Sequence, residues 1–190
     1  NVSMPNKTVI HKYLDKLTPA AELAGAVNTV INDDGVLTGH ITDGVGYMRS
    51  LKDAGFDVIG KKMTIVWAGG AATAIEKTNC KAKLFRLEDK EALRAEIADS
   101  VIFTNGTGMG MKPYVGQTYI EKDMLRPNLI VSDVVYQPAK TRLLELAEEV
   151  GCPTINGLGM MLFQGAEAFK CWTGQEMPID HMKEFLFGDK

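Results

Sequence analysis

Short apolar runs of strand length alternate with helical patterns along the middle of this chain. Residues 63–67 form an almost uninterrupted apolar run, as expected of a strand that is buried on both faces. Four further strand-like runs follow, and amphipathic helical patterns lie between several of them, with the runs at 82–87, 101–105, 129–134 and 153–156 and the helices at 89–98 and 140–150. This alternation predicts an α/β fold with a doubly wound parallel sheet.

The N-terminal part of the chain has a different pattern. Residues 7–17 carry apolar side chains at helical spacing, and Asn6 could serve as the N-cap, so we expect an amphipathic helix there. Two extended runs at 27–31 and 36–41 flank the sequence Asn-Asp-Asp-Gly at 32–35. These residue types tolerate positive φ, and the segment is therefore predicted to be a β-hairpin.

Two helical patterns close the chain, one from about Gly159 to Trp172 and a short one capped by Asp180. We therefore expect two domains. Residues 1–44 and 160–190 would form a small α/β domain, and residues 45–159 would contain the parallel sheet.

Charge and cysteine usage exclude several classes of function. The chain has 21 basic and 24 acidic side chains and no basic block, which argues against nucleic acid or an anionic membrane as a partner. The longest nearly apolar stretch, residues 63–75, is shorter than the roughly 20 residues of a membrane span. Cys80, Cys152 and Cys171 lack a C-x-x-C spacing, so reduced thiols in a cytoplasmic protein are expected and no metal site is predicted.

The first strand of the sheet runs directly into a glycine-rich turn at residues 68–72. Such a turn binds a pyrophosphate, because glycines let the backbone approach and the following helix offers free N–H groups. Trp67 occupies the first glycine position of that pattern, where its indole would crowd a phosphate. A packing turn without a ligand therefore remains an alternative.

A second candidate site consists of Lys7, Asn28, Asp43 and Gln164, polar residues on four different predicted elements. Oxidation of a secondary alcohol needs a group that takes the hydroxyl proton as hydride leaves, and a Lys/Asp pair could do this. From the residues alone, a solvated surface charge is the more common interpretation of a lone lysine.

Short motifs follow one another in a fixed order along the chain: NVSMPNK (1–7), GAVNT (25–29), GHITDGVG (39–46), AGGA (68–71), NGTGMGM (105–111), DVVYQP (133–138) and NGLGMMLFQG (156–165). Taken together, they resemble the shikimate dehydrogenase family, including its quinate/shikimate branch. The resemblance implies a substrate domain and a Rossmann-like nucleotide domain in an enzyme that interconverts 3-dehydroshikimate and shikimate, a step toward the aromatic amino acids. Dehydroquinate and quinate are the alternative pair, and the implied cofactor is NAD or NADP.

The resemblance also implies roles for individual residues. Lys7 and Asp43 would be the catalytic pair. The substrate would be bound by Ser3, Lys7, Asn28, Asp43, Tyr136 and Gln164. The cofactor would be bound by Ala68, Gly69, Gly70, Ala71, Thr107, Lys112, Val134 and Gly157. The enzyme would be a monomer or a homodimer.

The chain departs from the family pattern at several places. A strand-rich segment with an S-x-S motif would be expected before Asn1, and Ile41 and Trp67 replace an asparagine and a glycine. After Ile75 the chain continues with a segment that resembles the family's next helix-to-strand junction, so one β-α unit of about 30 residues is predicted to be missing there. That unit would select between NAD and NADP.

Two other functions stay open. A non-catalytic relative would keep Lys7, Asn28, Asp43 and Gln164 but bind no cofactor. A different nicotinamide enzyme with two domains, such as a methylenetetrahydrofolate dehydrogenase, would bind a folate instead of shikimate.

Overall fold

The computed structural model describes residues 1–67, 81–85 and 90–188. In chain order the strands are β1 (Lys16–Leu17), β2 (Thr29–Asp33), β3 (Val36–His40), β4 (Lys62–Trp67), β5 (Lys81–Phe85), β6 (Ile102–Gly106), β7 (Ile130–Asp133) and β8 (Thr154–Ile155). The helices are α1 (Pro19–Ala24), α2 (Asp43–Asp53), α3 (Lys90–Asp99), α4 (Arg142–Val150), α5 (Leu158–Thr173) and α6 (Ile179–Phe187), and short 3₁₀ turns span Asn6–Thr8, Ile10–Tyr13 and Lys122–Met124.

The chain divides into two compact units, and the divisions fall inside helices α2 and α5. The first unit contains Asn1–Ser50 and Gly159–Lys190, and the second contains Leu51–Leu158. In the first unit β1, β3 and β2 form a three-stranded sheet in that order. The predicted hairpin is confirmed: β2 and β3 pair antiparallel around Asp34 and Gly35, which have φ angles of 48° and 93°.

The predicted helix over residues 7–17 is wrong. The segment forms two 3₁₀ turns followed by β1, and some of its backbone groups bond to residues 27 and 37 instead of continuing a helix. The Lys7 carbonyl accepts a hydrogen bond from the Val27 amide at 2.9 Å, and the Asp15 amide donates to the Leu37 carbonyl at 2.9 Å. The apolar spacing nevertheless identified side chains that pack on the core, among them Ile10, Leu14 and Leu17.

The second unit contains a parallel sheet with the strand order β5-β4-β6-β7-β8. The predicted doubly wound sheet is confirmed. Strand β5 lies on one side of β4, and the next strand in sequence, β6, lies on the other side. The direction in which strands are added therefore reverses between β4 and β6. In open α/β sheets of this kind, ligands bind beyond the carboxyl ends of the strands at that reversal.

One face of this sheet is covered by α3 and α4. Strand residues such as Val66, Phe103 and Val131 pack there against buried leucines and alanines of the two helices. Helix α4 starts after Thr141, whose side chain accepts a hydrogen bond from the Leu144 amide, and ends at a left-handed glycine. Among the helices in the described ranges, none is long and apolar enough to cross a membrane.

Candidate functional site

Lys7 and Asp43 form a close ion pair in the first unit. Lys7 lies in the 3₁₀ turn Asn6–Thr8, and Asp43 is the first residue of α2. Lys7 Nζ donates to Asp43 Oδ2 at 2.6 Å, and the two side chains are 24% and 12% exposed. An ammonium carries three N–H donors and Asp43 accepts from one, so the partly shielded pair can also bind a ligand oxygen.

Asn28 links this pair to its neighbours. It precedes β2 and is buried, and its Nδ2 donates to Thr42 Oγ1 at 2.9 Å, to Asp43 Oδ1 at 3.0 Å and to Gln164 Oε1 at 3.2 Å. Its Oδ1 accepts from the Thr42 amide and the Thr29 hydroxyl, both at 3.0 Å. These partners fix which way the carboxamide points.

Gln164 reaches the network from α5. Its Nε2 donates to the Met161 carbonyl at 2.9 Å, which leaves Oε1 directed at Asn28. The approach depends on Gly46 in α2, because a Cβ at that position would lie 2.4 Å from the Gln164 backbone nitrogen. Glycine therefore lets the two helices touch and brings Gln164 into the network.

A second contact joins the same two helices. Arg49 of α2 pairs with Glu167 of α5, and its guanidinium lies 5.0 Å from the centre of the Phe163 ring. Phe163 is buried and precedes Gln164 in sequence. This ion pair and cation–π contact hold the segment of α5 that carries Gln164.

The structure thus gathers Lys7, Asn28, Asp43 and Gln164, which the sequence analysis grouped, and their individual roles remain predictions. Ser3 is exposed, and it contributes its carbonyl to a 2.9 Å hydrogen bond from the Asn6 amide. Tyr136 is 51% exposed and belongs to the second unit, where it follows β7.

The predicted cofactor residues Ala68, Gly69, Gly70 and Ala71 lie outside the described residues. Thr107, Val134 and Gly157 follow β6, β7 and β8, at the carboxyl edge of the parallel sheet, and Lys112 is exposed in the loop after β6. A Cβ at Gly157 would lie 2.1 Å from the Val134 carbonyl oxygen, so this glycine lets two edge loops meet. In doubly wound sheets this is the edge that binds ligands.

Sequence reasoning missed three buried polar residues beside the predicted ones. Thr42 is fully buried and bonds to Asn28 in the first unit. In the second unit Asn105 and Asp133 are 4% and 1% exposed. Burial raises the pKa of Asp133 to about 6, although three hydrogen bonds to its carboxylate oppose the rise. Thr42, Asn105 and Asp133 each lie close to the end of a strand and inside one of the motifs that resemble the family, and this was the signal available in the sequence.

Comparison with known proteins identifies related sequences at both ends of the chain. Residues 1–30 match the family described as "Shikimate dehydrogenase substrate binding domain", and residues 157–186 match "Shikimate 5'-dehydrogenase C-terminal domain". The chain is 64% identical to a shikimate dehydrogenase (NADP(+)) of Listeria innocua, with 98% of this chain and 76% of the relative covered. A shikimate dehydrogenase (NADP(+)) of Streptococcus uberis is 45% identical, with 100% and 77% covered.

A solved structure is similar as well. Shikimate 5-dehydrogenase from Listeria monocytogenes, in complex with shikimate and NAD, has a TM-score of 0.89 and 64% identity, with 98% of this chain and 76% of that chain covered.

The relatives are longer within the matched region. The match to the Listeria innocua protein spans 221 residues, whereas 98% of this chain's 190 residues is about 186. The difference of about 35 residues is the size of one β-α unit. A doubly wound dinucleotide-binding sheet has six strands in the order 3-2-1-4-5-6. Without its second strand the order becomes 3-1-4-5-6, which is the order of the five strands observed here. The predicted place of the missing unit, after Ile75, lies outside the described residues.

Proposed function

Because the chain belongs to the shikimate dehydrogenase family, we propose that it interconverts 3-dehydroshikimate and shikimate by hydride transfer with NADP or NAD. The observation that carries the proposal is the Lys7–Asp43 pair at 2.6 Å, held by Asn28 in one network with Gln164. The relatives named above are shikimate dehydrogenases, and one of them was solved with shikimate bound.

Lys7 handles the proton of the reacting oxygen. In the direction of reduction, its ammonium donates a hydrogen bond to the substrate carbonyl and transfers that proton to the oxygen as the alcohol forms. In the direction of oxidation the free amine accepts the hydroxyl proton. Asp43 orients Lys7 through the 2.6 Å hydrogen bond and balances the positive charge of the ammonium.

Asn28 and Gln164 select the polyol. A carboxamide presents both a donor and an acceptor, which suits a hydroxyl that does both. The two amides already meet at 3.2 Å, so a ring carrying neighbouring hydroxyls would be bound by a preformed pair. A substrate without those hydroxyls would gain no hydrogen bonds from the two amides and should bind more weakly.

The second unit provides the cofactor residues. When bound, the nicotinamide takes up the hydride that leaves the carbinol carbon. Thr107, Val134 and Gly157, at the carboxyl edge of the sheet, would hold it together with Lys112 and residues 68–71.

We also propose that the enzyme acts in the cytoplasm as a monomer or a homodimer. Cys152 and Cys171 are free thiols, which suits a reducing compartment. Light scattering coupled to size-exclusion chromatography should give a mass of one or two chains, and a larger assembly would contradict the proposal. A fusion to a fluorescent protein should localise to the cytoplasm, and fluorescence confined to the envelope would contradict that.

The test of the proposed function is an assay of nicotinamide reduction at 340 nm, with shikimate or quinate as substrate and NADP or NAD as cofactor. Shikimate should support turnover, and Lys7→Met should lower kcat by about 10²–10⁴-fold, the range for loss of a general acid–base. Lys12→Met is the matched control, because Lys12 is exposed on the neighbouring 3₁₀ turn, and its kcat should stay within about twofold.

The outcomes separate the alternatives. Shikimate binding in a calorimeter without turnover with either cofactor would overturn the enzyme proposal and favour the non-catalytic relative. Folate binding in place of shikimate binding would favour the methylenetetrahydrofolate dehydrogenase reading.

A further inference from the structure

Two buried polar residues join the ends of neighbouring strands in the second unit. Asn105 of β6 and Asp133 of β7 are register partners in the parallel ladder. Asn105 Nδ2 donates to Asp133 Oδ1 at 2.9 Å. Each is followed by an edge loop that contains a proposed cofactor residue, Thr107 after β6 and Val134 after β7.

Asn105 determines the conformation of the loop after β6. Its Oδ1 accepts from the Thr107 amide at 3.1 Å and from the Thr107 hydroxyl at 2.7 Å, and its Nδ2 donates to the Met109 carbonyl at 3.0 Å. Because the Thr107 hydroxyl proton is used in this way, the Tyr119 hydroxyl is the donor in its 2.6 Å bond to Thr107 Oγ1. The orientation of the Asn105 amide thus sets a directed chain of hydrogen bonds.

Asp133 sets that orientation. An ionised carboxylate only accepts, so it requires the amino group of Asn105 on its side and turns the amide oxygen toward Thr107. The same Oδ1 accepts from the Val135 amide at 3.0 Å, which holds the loop after β7. A single side chain therefore fixes both edge loops.

The other carboxylate oxygen is bound to the start of α4. Asp133 Oδ2 accepts from the Thr141 hydroxyl at 2.6 Å, and Thr141 also caps the helix. Thr141 lies against the loop after β6 as well, since a Cβ at Gly110 would be 3.0 Å from its methyl carbon. Gly110 has a φ of 97°, a conformation that favours glycine.

We propose that Asp133 is a positioning residue for the nicotinamide cofactor, which acts by holding the loops of Thr107 and Val134 in one binding-competent arrangement. The inference rests on the proposed function, because it assigns the cofactor to this edge of the sheet. It concerns cofactor affinity, and it leaves the proton transfer at Lys7 unaffected.

Three variants test the role of the carboxylate. Asp133→Ala removes the acceptor of three hydrogen bonds. Asp133→Asn is the conservative variant, because its Oδ1 can still accept from Asn105 and Val135 while its amino group donates to Thr141 Oγ1. Ser132→Ala is the matched control, since Ser132 is buried on the same strand and, within the described part of the chain, its hydroxyl has no hydrogen-bond partner.

The readouts are the calorimetric Kd for NADPH without substrate and the kinetic constants of each variant. Asp133→Ala should raise the Kd and the KM for the cofactor about tenfold, the cost of leaving buried donors unpaired. Its kcat at saturation and its KM for shikimate should stay within about threefold. Asp133→Asn should restore the Kd to within about threefold, and Ser132→Ala should match the wild type.

The inference would be overturned if folded Asp133→Ala bound NADPH with wild-type affinity. It would also be overturned if kcat fell by the factor expected for the Kd while the Kd itself stayed unchanged. If Asp133→Ala does not fold, Thr141→Val and Thr141→Ser decide, because only valine removes the donor to Asp133. Valine should then weaken cofactor binding about threefold more than serine, and equal affinities would overturn the inference. Wild-type protein that binds neither NADPH nor NADH would instead refute the proposed function.

Discussion

Asp43 and Asp133 are both largely buried aspartates that begin or end an element of regular structure, yet their partners differ. Asp43 contacts a cation, Lys7 Nζ, at 2.6 Å. Asp133 accepts from three neutral donors at 2.6–3.0 Å. At Asp133 these hydrogen bonds do not fully offset the loss of hydration, and burial raises the pKa of the carboxyl to about 6. The comparison separates a carboxylate that is paired with a cation from one that is bound only by neutral donors.

The two networks also depend on different parts of the fold. Asn28 and Gln164 are 136 residues apart in sequence and meet only because α2 and α5 touch. Asn105 and Asp133 meet because β6 and β7 are paired in register. A change in helix packing should therefore damage the first network, whereas the second should respond to changes at the carboxyl edge of the sheet.

The largest effect is expected in the charged network, which consists of Lys7, Asn28, Asp43 and Gln164. Asp43→Asn leaves the Lys7 ammonium without its anionic partner, and kcat should fall by about 10²–10⁴-fold under saturating conditions. The double variant with Lys7→Met should be no slower than the slower single variant, because the two residues act as a unit. Asp53→Asn, exposed at the far end of α2, is the control. An Asp43→Asn enzyme within twofold of wild type would remove Asp43 from the mechanism.

The second prediction concerns Asp133, the buried carboxylate that accepts hydrogen bonds from neutral donors. Its pKa is about 6 in the folded protein and 3.8 when unperturbed. Between these two pH values the folded protein therefore binds a proton that the unfolded chain has already released. The stabilising contribution is complete below about pH 4 and is lost as pH rises through 6. Wild type should thus lose about 2 kcal/mol relative to Asp133→Asn between pH 4 and pH 7.

Urea unfolding of the two proteins at pH 4, 5, 6 and 7 measures this difference. Tyr119, the titratable side chain linked to Asp133 through Thr107 and Asn105, has a pKa raised by burial above 10 and stays neutral throughout. Burial lowers the pKa of His40, and its contribution is common to both proteins and cancels. Parallel stability curves would show that Asp133 is ionised in the folded state across the whole range.

The sequence predicted the sheet more fully than the N-terminal segment. Strand-like runs in the sequence predicted all five strands of the parallel sheet, and the hairpin was recognisable from Asp34-Gly35. The prediction of a helix over residues 7–17 failed because some backbone groups bond to distant parts of the chain, as Lys7 does to Val27, while the local bonds form only short 3₁₀ turns. Periodicity reports which side chains are buried and does not report where backbone groups find partners.

The sequence likewise predicted some of the site residues and missed others. The motifs pointed to Lys7, Asn28, Asp43 and Gln164, since such residues are identified by their chemistry. Asp133 was inside a quoted motif but received no role, because its function depends on pairing between β6 and β7 that no local pattern encodes.

The third prediction tests the helix contact on which the charged network depends. Gly46→Ala would place a methyl group 2.4 Å from the Gln164 backbone nitrogen, so the helices must separate, and the protein should lose about 1–3 kcal/mol of stability. Its kcat should fall too, because Gln164 moves away from Asn28. Gly165→Ala is the matched control on α5, where a Cβ meets nothing within 4 Å, and it should be neutral or slightly stabilising. Equal unfolding midpoints in urea for the two variants would contradict the close contact.

The smallest effect compares the threonines that cap one helix in each unit. Thr18 Oγ1 accepts from the Ala21 amide at the start of α1 and bonds to His40 Nδ1 at 2.8 Å, and Thr18→Ala should cost about 1 kcal/mol. Thr141→Ala removes a cap and also the donor to Asp133 Oδ2, so its cost should exceed that of Thr18→Ala. Serine at either position keeps the hydroxyl and should recover most of the loss. Equal costs of the two alanine variants in urea unfolding would mean that the bond from Thr141 to Asp133 contributes no more stability than the bond between Thr18 and His40.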